Sequence, residues 1–216
     1  MLTRPARTHM TRRIGLHALL GSALAIGIYT AAGTITAAQA PLAIDSARIT
    51  ISGTSNIHAY SASTTTIRVT RAQLGSVVPG PDLWTNVLKT GAVDAFEIAI
   101  PAATLTSPKD GLDKNMHKAL KVTEHPDIEF RLSRLEGAED SGAVRGVGIL
   151  RIAGVEREVT LVLKTQRANT KLTVTGEVQL LMTDFGITPP KAMLGMLKTD
   201  PKITVTFETV LGIPLT

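Results

Sequence analysis

Chemistry in a protein of this kind begins with histidines, carboxylates and hydroxyls, and here they are thinly and irregularly spread. Beyond residue 40 the histidines are His58, His117 and His125. A helical metal site would want a pair spaced as H-x-x-x-H, and no such spacing or other metal-ligand motif occurs. His117 and His125 straddle an expected helix end and a turn, which suits surface or polar-network roles. The serines fall in no G-x-S-x-G and no second catalytic signature accompanies them. Asp110, Asp113 and Asp184 read most simply as helix caps and turn formers, with Asp113 the expected N-cap of a short helix. Asp184-Phe185-Gly186 matches a kinase tripeptide with nothing else of that fold around it. The expectation is no catalytic residue, no metal and no cofactor, and a binding role in preference to an enzyme. The chemistry left is apolar recognition, and it depends on what the rest of the chain encloses.

From about Asp94 to Leu211, apolar and polar residues alternate in strand-length runs broken by glycines. A period of two means half-buried antiparallel strands, as in a barrel or sandwich. A first strand runs from Ile44 to Gly53, and a second, rich in β-branched residues, from Thr64 to Leu74. Val93 to Ile100 ends at Pro101, which lacks an N–H and should stop the strand or lie on an edge. In Asp127 to Leu135, Ile128, Phe130 and Leu132 share a face opposite Glu129, Arg131 and Ser133. Ala143 to Ile152 and Val155 to Thr165 form an expected hairpin turning at Ala153-Gly154. Lys171 to Met182 points Val174, Val178 and Leu180 inward, and Ile203, Val205 and Phe207 close the series at about eight strands. Alternation cannot choose a face at Leu161 to Leu163 or Leu180-Leu181. Gly146, Gly148 and Gly176 lie within strands, where they open space for a ligand or mark a barrel corner. Two segments read as helices. Leu112 to Leu120 places Met116 and Leu120 on one face, and Thr188-Pro189-Pro190 starts another that carries Met193, Leu194, Met196 and Leu197. These methionines either plug the core or form an adaptable lid.

Residues 1–40 stand apart. Arg4, Arg7, Arg12 and Arg13 precede an apolar stretch from Ile14 to Gly33 and then small residues, the layout of a secretory signal peptide. Cleavage after Ala38 is favoured over Ala40, because Pro41 would hinder the peptidase. A partial twin-arginine motif at Thr11 to Leu16 and an uncleaved anchor remain alternatives. Of the 23 basic and 18 acidic residues, the segment holds four basic and no acidic ones, so nineteen against eighteen remain, a net charge of +1. That balance gives no footprint for nucleic acid or an anionic membrane. Cysteine is absent, so packing alone must hold an exported domain. Aromatics make up 3% of the chain, too few for the two girdles of an outer-membrane barrel.

Four stretches in order, GTSNIH at Gly53 to His58, GLDKNMHKALKVTEHPDIEF at Gly111 to Phe130, GILRIAGVEREVTL at Gly148 to Leu161 and MTDFGITPP at Met182 to Pro190, resemble the YceI family of exported lipid-binding proteins. The resemblance spans about Leu42 to Leu211. It implies an all-β fold, an antiparallel lipocalin-like β-barrel of about eight strands with one or two short helices, occupying residues 41–216. It also implies an apolar lipid partner such as a polyisoprenoid or quinone-like molecule, in the periplasm. Pro126, Ile128 and Phe130 match the family pattern, whereas its Arg-Asp and its paired phenylalanines are replaced here around DKNMHKALKVTEH. An eight-stranded barrel either fills with side chains or holds one small ligand. The expected cavity wall is Ile128, Phe130, Leu132, Val174, Val178, Leu180, Val205 and Phe207, with Met193 and Met196 gating the mouth. The competing expectation is a packed interior serving a stress-response or protein-interaction role without a lipid. Stable membrane insertion after signal cleavage is not expected, and a homodimer is compatible with the sequence.

Overall fold

Most of the described residues, 42–75, 80–137, 143–192 and 197–212 of a computed structural model, lie in ten strands. They are β1 (Ala43–Ser55), β2 (Ala59–Thr64), β3 (Arg68–Leu74), β4 (Val93–Pro101), β5 (Asp127–Gly137), β6 (Ala143–Ile152), β7 (Val155–Ala168), β8 (Lys171–Leu181), β9 (Lys191–Ala192) and β10 (Leu197–Gly212). Helix α1 (Leu83–Val87) joins β3 to β4, and α2 (Asp110–Ala119) lies between β4 and β5. The expected signal peptide, residues 1–40, lies outside the described residues, as do Met193 and Met196.

The strands form one curled antiparallel sheet in the order β2-β1-β10-β8-β7-β6-β5-β4-β3, with β9 paired only to β10. Its two outermost strands, β2 and β3, are consecutive stretches of one chain run, separated by Thr65 to Ile67. The first half of that run pairs with β1 and the second with β4, so a single segment that changes partners brings the two edges of the sheet together. Thr64 to Leu74 therefore is not one strand: pairing begins earlier, at Ala59, and breaks after Thr64.

Alternation fixes the registers. Along β10 the odd-numbered residues Ile203, Val205, Phe207, Thr209 and Leu211 face the interior, which a one-residue slip would turn to water. In β5 the alternation is interrupted by a bulge between Leu132 and Arg134. The extra residue restores Leu135 to the interior beside Ile128, Phe130 and Leu132. The β6–β7 hairpin turns at Ala153-Gly154 with φ values of 50° and 83°, the positive pair that a two-residue type I′ turn requires. Leu161 and Leu163 face inward, whereas Leu180 is buried and Leu181 exposed.

The helices depart from expectation. Helix α2 begins at Asp110 after Lys109, and its entry residue makes no side-chain cap. Asp113 lies within the first turn, and its Oδ1 accepts the backbone N–H of Ser107 at 2.8 Å. Where the second helix is expected, Lys191–Ala192 is a strand paired with Leu197 and Lys198, and residues 193–196 lie outside the described residues. Two 3-10 turns, at Ala102–Thr104 and Met182–Phe185, and the short α1 supply the remaining helical structure among the described residues.

Two apolar clusters hold the ends of the barrel. One gathers Leu42, Ala72, Leu83, Trp84, Val87, Leu172 and Leu211 around α1. The other gathers Ile49, Ile100, Leu105, Leu120, Ile128, Ile152, Phe185 and Ile187, with Met116 and Ala119 of α2 packed on it. Ion pairs such as Arg68–Asp127 at 2.7 Å and Arg131–Glu156 at 3.1 Å run over the outer wall.

Candidate functional site: a cavity along the barrel axis

Between the two clusters runs a cavity of about 1190 Å³. Sites for drug-sized ligands span roughly 300–1,000 Å³, so this one has room for something larger. Ile128, Phe130 and Leu132 of β5, Val174, Val178 and Leu180 of β8, and Val205 and Phe207 of β10 all line it. Eight of the ten candidate residues thus line one cavity, from separate parts of the sheet. The sequence pattern missed the contributions of β1 (Ile49, Ile51), of α2 (Leu112, Met116, Ala119) and of the turn into β2 (His58, Ala59). Helix α2 has the signal that could have found them, since Leu112, Met116 and Ala119 recur at the spacing of one helical face.

The strand glycines explain how the wall stays thin. A Cβ at Gly148 would fall 2.5 Å from the Phe130 ring and from the Arg131 carbonyl oxygen, and one at Gly176 would collide with the ring of Phe207, its partner across the ladder. Each phenylalanine lies over a glycine of the neighbouring strand, the arrangement in which an aromatic covers backbone that glycine leaves bare. At those two positions the space a Cβ would take is filled by the neighbouring ring. Gly146 differs, because it lines the cavity beside Leu132, Leu135 and Leu163.

The cavity has a direction. Toward α1 its lining is Leu42, Ile44, Val87, Leu88, Leu172 and Leu211. At the other end lie Ser52 to Ser55 of β1, His58 to Ser61, Ser107 to Lys109, Asn115, and Thr199 to Thr204 of β10 except Pro201. These belong to one end of the barrel, because Ser55 pairs with Thr199 and Gly53 with both Ile203 and Tyr60. The floor is therefore apolar and the mouth polar. Tyr60 stacks over Gly53, and its buried hydroxyl has no hydrogen-bond partner among the described residues. Burial, and secondarily the Asp200 carboxylate, push its pKa above the usual 10.0. At the floor, the Trp84 Nε1 is likewise buried without a partner among the described residues.

The histidines go to three different places. His58 stands at the mouth, His117 Nε2 lies 2.8 Å from the Leu105 carbonyl oxygen, and the His125 ring packs against Gly154. What this arrangement can do is enclose: among the described residues it is an apolar lumen with a polar end, the kind of interior in which an antiparallel barrel holds an apolar ligand.

The chain belongs to the YceI-like domain family, whose model matches residues 21–211. Solved structures agree in fold. Burkholderia cenocepacia BcnA superposes with a TM-score of 0.60 at 10% identity, over 76% of this chain and 95% of BcnA. A polyisoprenoid binding domain from Saccharophagus degradans, implicated in plant cell wall breakdown, gives 0.60 at 12% identity, over 82% of this chain and all of the domain. The Campylobacter jejuni YCEI protein gives 0.50 at 14% identity, over 69% and 85%. At such identities the likeness shows the fold. Comparison with curated proteins gave no match.

Proposed function

We propose that this protein binds an apolar isoprenoid-type lipid in the barrel and carries or sequesters it in the periplasm, after removal of residues 1–40 as a signal peptide. The observation that carries this reading is the cavity of about 1190 Å³ with an aliphatic floor and wall. Each CH₂-sized group moved there from water gains roughly 0.8 kcal/mol before ordering costs. Several isoprenoid units suffice for tight binding with no specific polar contact. The polyisoprenoid binding domain among the structural relatives supports the same class of ligand. Ile128, Phe130, Leu132, Val174, Val178, Leu180, Val205 and Phe207 form the wall against which the chain packs, and the role is binding, with no catalytic step assigned to any residue. A quinone-like head would sit at the polar end. The test is native mass spectrometry, with organic extraction, of the protein purified from the periplasm of its own host. A stoichiometric apolar lipid adduct is expected. A bare protein mass, unchanged on adding long-chain isoprenoids, would overturn the reading and leave the barrel an interaction module.

A further inference from the structure

The most exposed large apolar side chain named among the described residues is Ile57, at 59%. It stands at the tip of the β1–β2 turn, beside the cavity mouth that Ser55, His58 and Ala59 help to line. The turn is built to hold it there. Ser55 Oγ accepts the N–H groups of Ile57 and His58 at 3.3 and 3.1 Å and donates to the His58 carbonyl at 2.8 Å. Asn56 fastens the turn to β10, its N–H donating to the Lys198 carbonyl at 3.1 Å and its Oδ1 accepting the Lys198 N–H at 2.8 Å. A turn so fixed that exposes isoleucine to water forgoes burial of that side chain in the isolated protein.

The charges around it include several lysines. Lys109, Lys198 and Lys202 are exposed at or beside the mouth, and Lys114 and Lys118 are exposed on α2, which lines the same opening. The acids at this end include Asp110, Glu124, Asp184 and Asp200, with Asp113 turned to the Ser107 N–H. None of these five lysines belongs to an ion pair among the described residues. Other exposed cations without an ion pair among the described residues, such as Arg48, Lys89, Arg145 and Lys164, are spread over the rest of the surface.

We infer that the mouth, led by Ile57 and flanked by Lys198, docks reversibly on an anionic lipid bilayer. Isoleucine enters the interface and the lysines meet anionic headgroups, the pairing of apolar tip and cations that interfacial binding uses. The contact places the cavity opening against the bilayer. It depends on the surface alone and holds whether or not the cavity carries an isoprenoid.

The test uses residues 41–216, all but the first three residues of the compact unit Ala38–Thr216. This chain is sedimented with vesicles of phosphatidylcholine alone and of phosphatidylcholine mixed with phosphatidylglycerol. Binding to the anionic vesicles, weakened by salt, is expected. Ile57→Asp should lower the partition coefficient by about tenfold, and Lys198→Glu by several-fold on anionic vesicles only. Circular dichroism and thermal melting show that both variants fold. No binding of the wild-type chain, equal binding of Ile57→Asp, or equal binding to neutral vesicles would each overturn the inference. So would a concentration-dependent dimer lost in Ile57→Asp without vesicle binding, which assigns the surface to a second copy.

Discussion

The two ends of the barrel are built from opposite materials. At the α1 end, Leu83, Trp84 and Val87 are at most 4% exposed and close on Leu172 and Leu211. At the α2 end, apolar residues of the second cluster share the opening with serines, threonines, Lys109, Asp200 and Lys202. A five-residue helix survives at the floor only because its apolar side chains are buried, since a helix that short has no stability of its own. Helix α2 has no fully buried residue and is held by one half-buried face. The difference teaches that the floor is closed by buried apolar side chains alone, whereas the larger apolar cluster at the other end shares its opening with polar and charged groups.

This contrast is sharpened first at Trp84. Trp84→Ala should cost about 3–5 kcal/mol of unfolding free energy in urea titrations, whereas Met116→Ala on α2, only half-buried, should cost less. The reverse order would break the comparison. Next come the glycines under the rings. Gly148→Val forces Phe130 and the β5 backbone apart and should destabilise by about 1–3 kcal/mol, while Gly146→Ala, with its nearest neighbour 3.3 Å away at Leu163 Cδ1, should change stability less and take room from the cavity. Quantitation of extracted lipid separates the two.

Smaller effects fall at the mouth. Tyr60→Phe removes a buried hydroxyl that has no partner among the described residues and should leave stability unchanged or slightly raised. The wild type should also lose stability on the alkaline side. The folded pKa of Tyr60 lies above 10.0, so the neutral form is favoured in the native state and stability declines as pH rises through and beyond 10.0. Thermal melting against pH should show this decline shallower in Tyr60→Phe. The smallest change is expected on the wall, where Arg68→Ala removes an exposed ion pair worth about 0–1 kcal/mol in denaturant titrations.

Much of the wall was legible because alternation needs only neighbouring residues: β4, β5 and the β6–β7 hairpin fall where the pattern puts them. The misreadings have physical causes. β2, Ala-Tyr-Ser-Ala-Ser-Thr, is made of small residues apart from Tyr60 and alternates weakly, and its limits are set by the pairing with β1. The stretch after Pro190 has apolar residues at helical spacing, yet Lys191 and Ala192 extend to pair with β10. Helix α1 carries no side-chain cap and too few residues to show a period. The choice between a filled and an open barrel lay beyond any local pattern, because it turns on Phe130 and Phe207 folding against glycines on other strands, a matter of register between distant segments.

The two ends also differ in how they respond to light. Beyond residue 40 the chain has one tryptophan, Trp84, and one tyrosine, Tyr60, the first in the floor and the second at the opening. The unlabelled protein thus carries a fluorophore at each end of its lumen, and a chain sliding toward the floor would perturb the phenol before the indole.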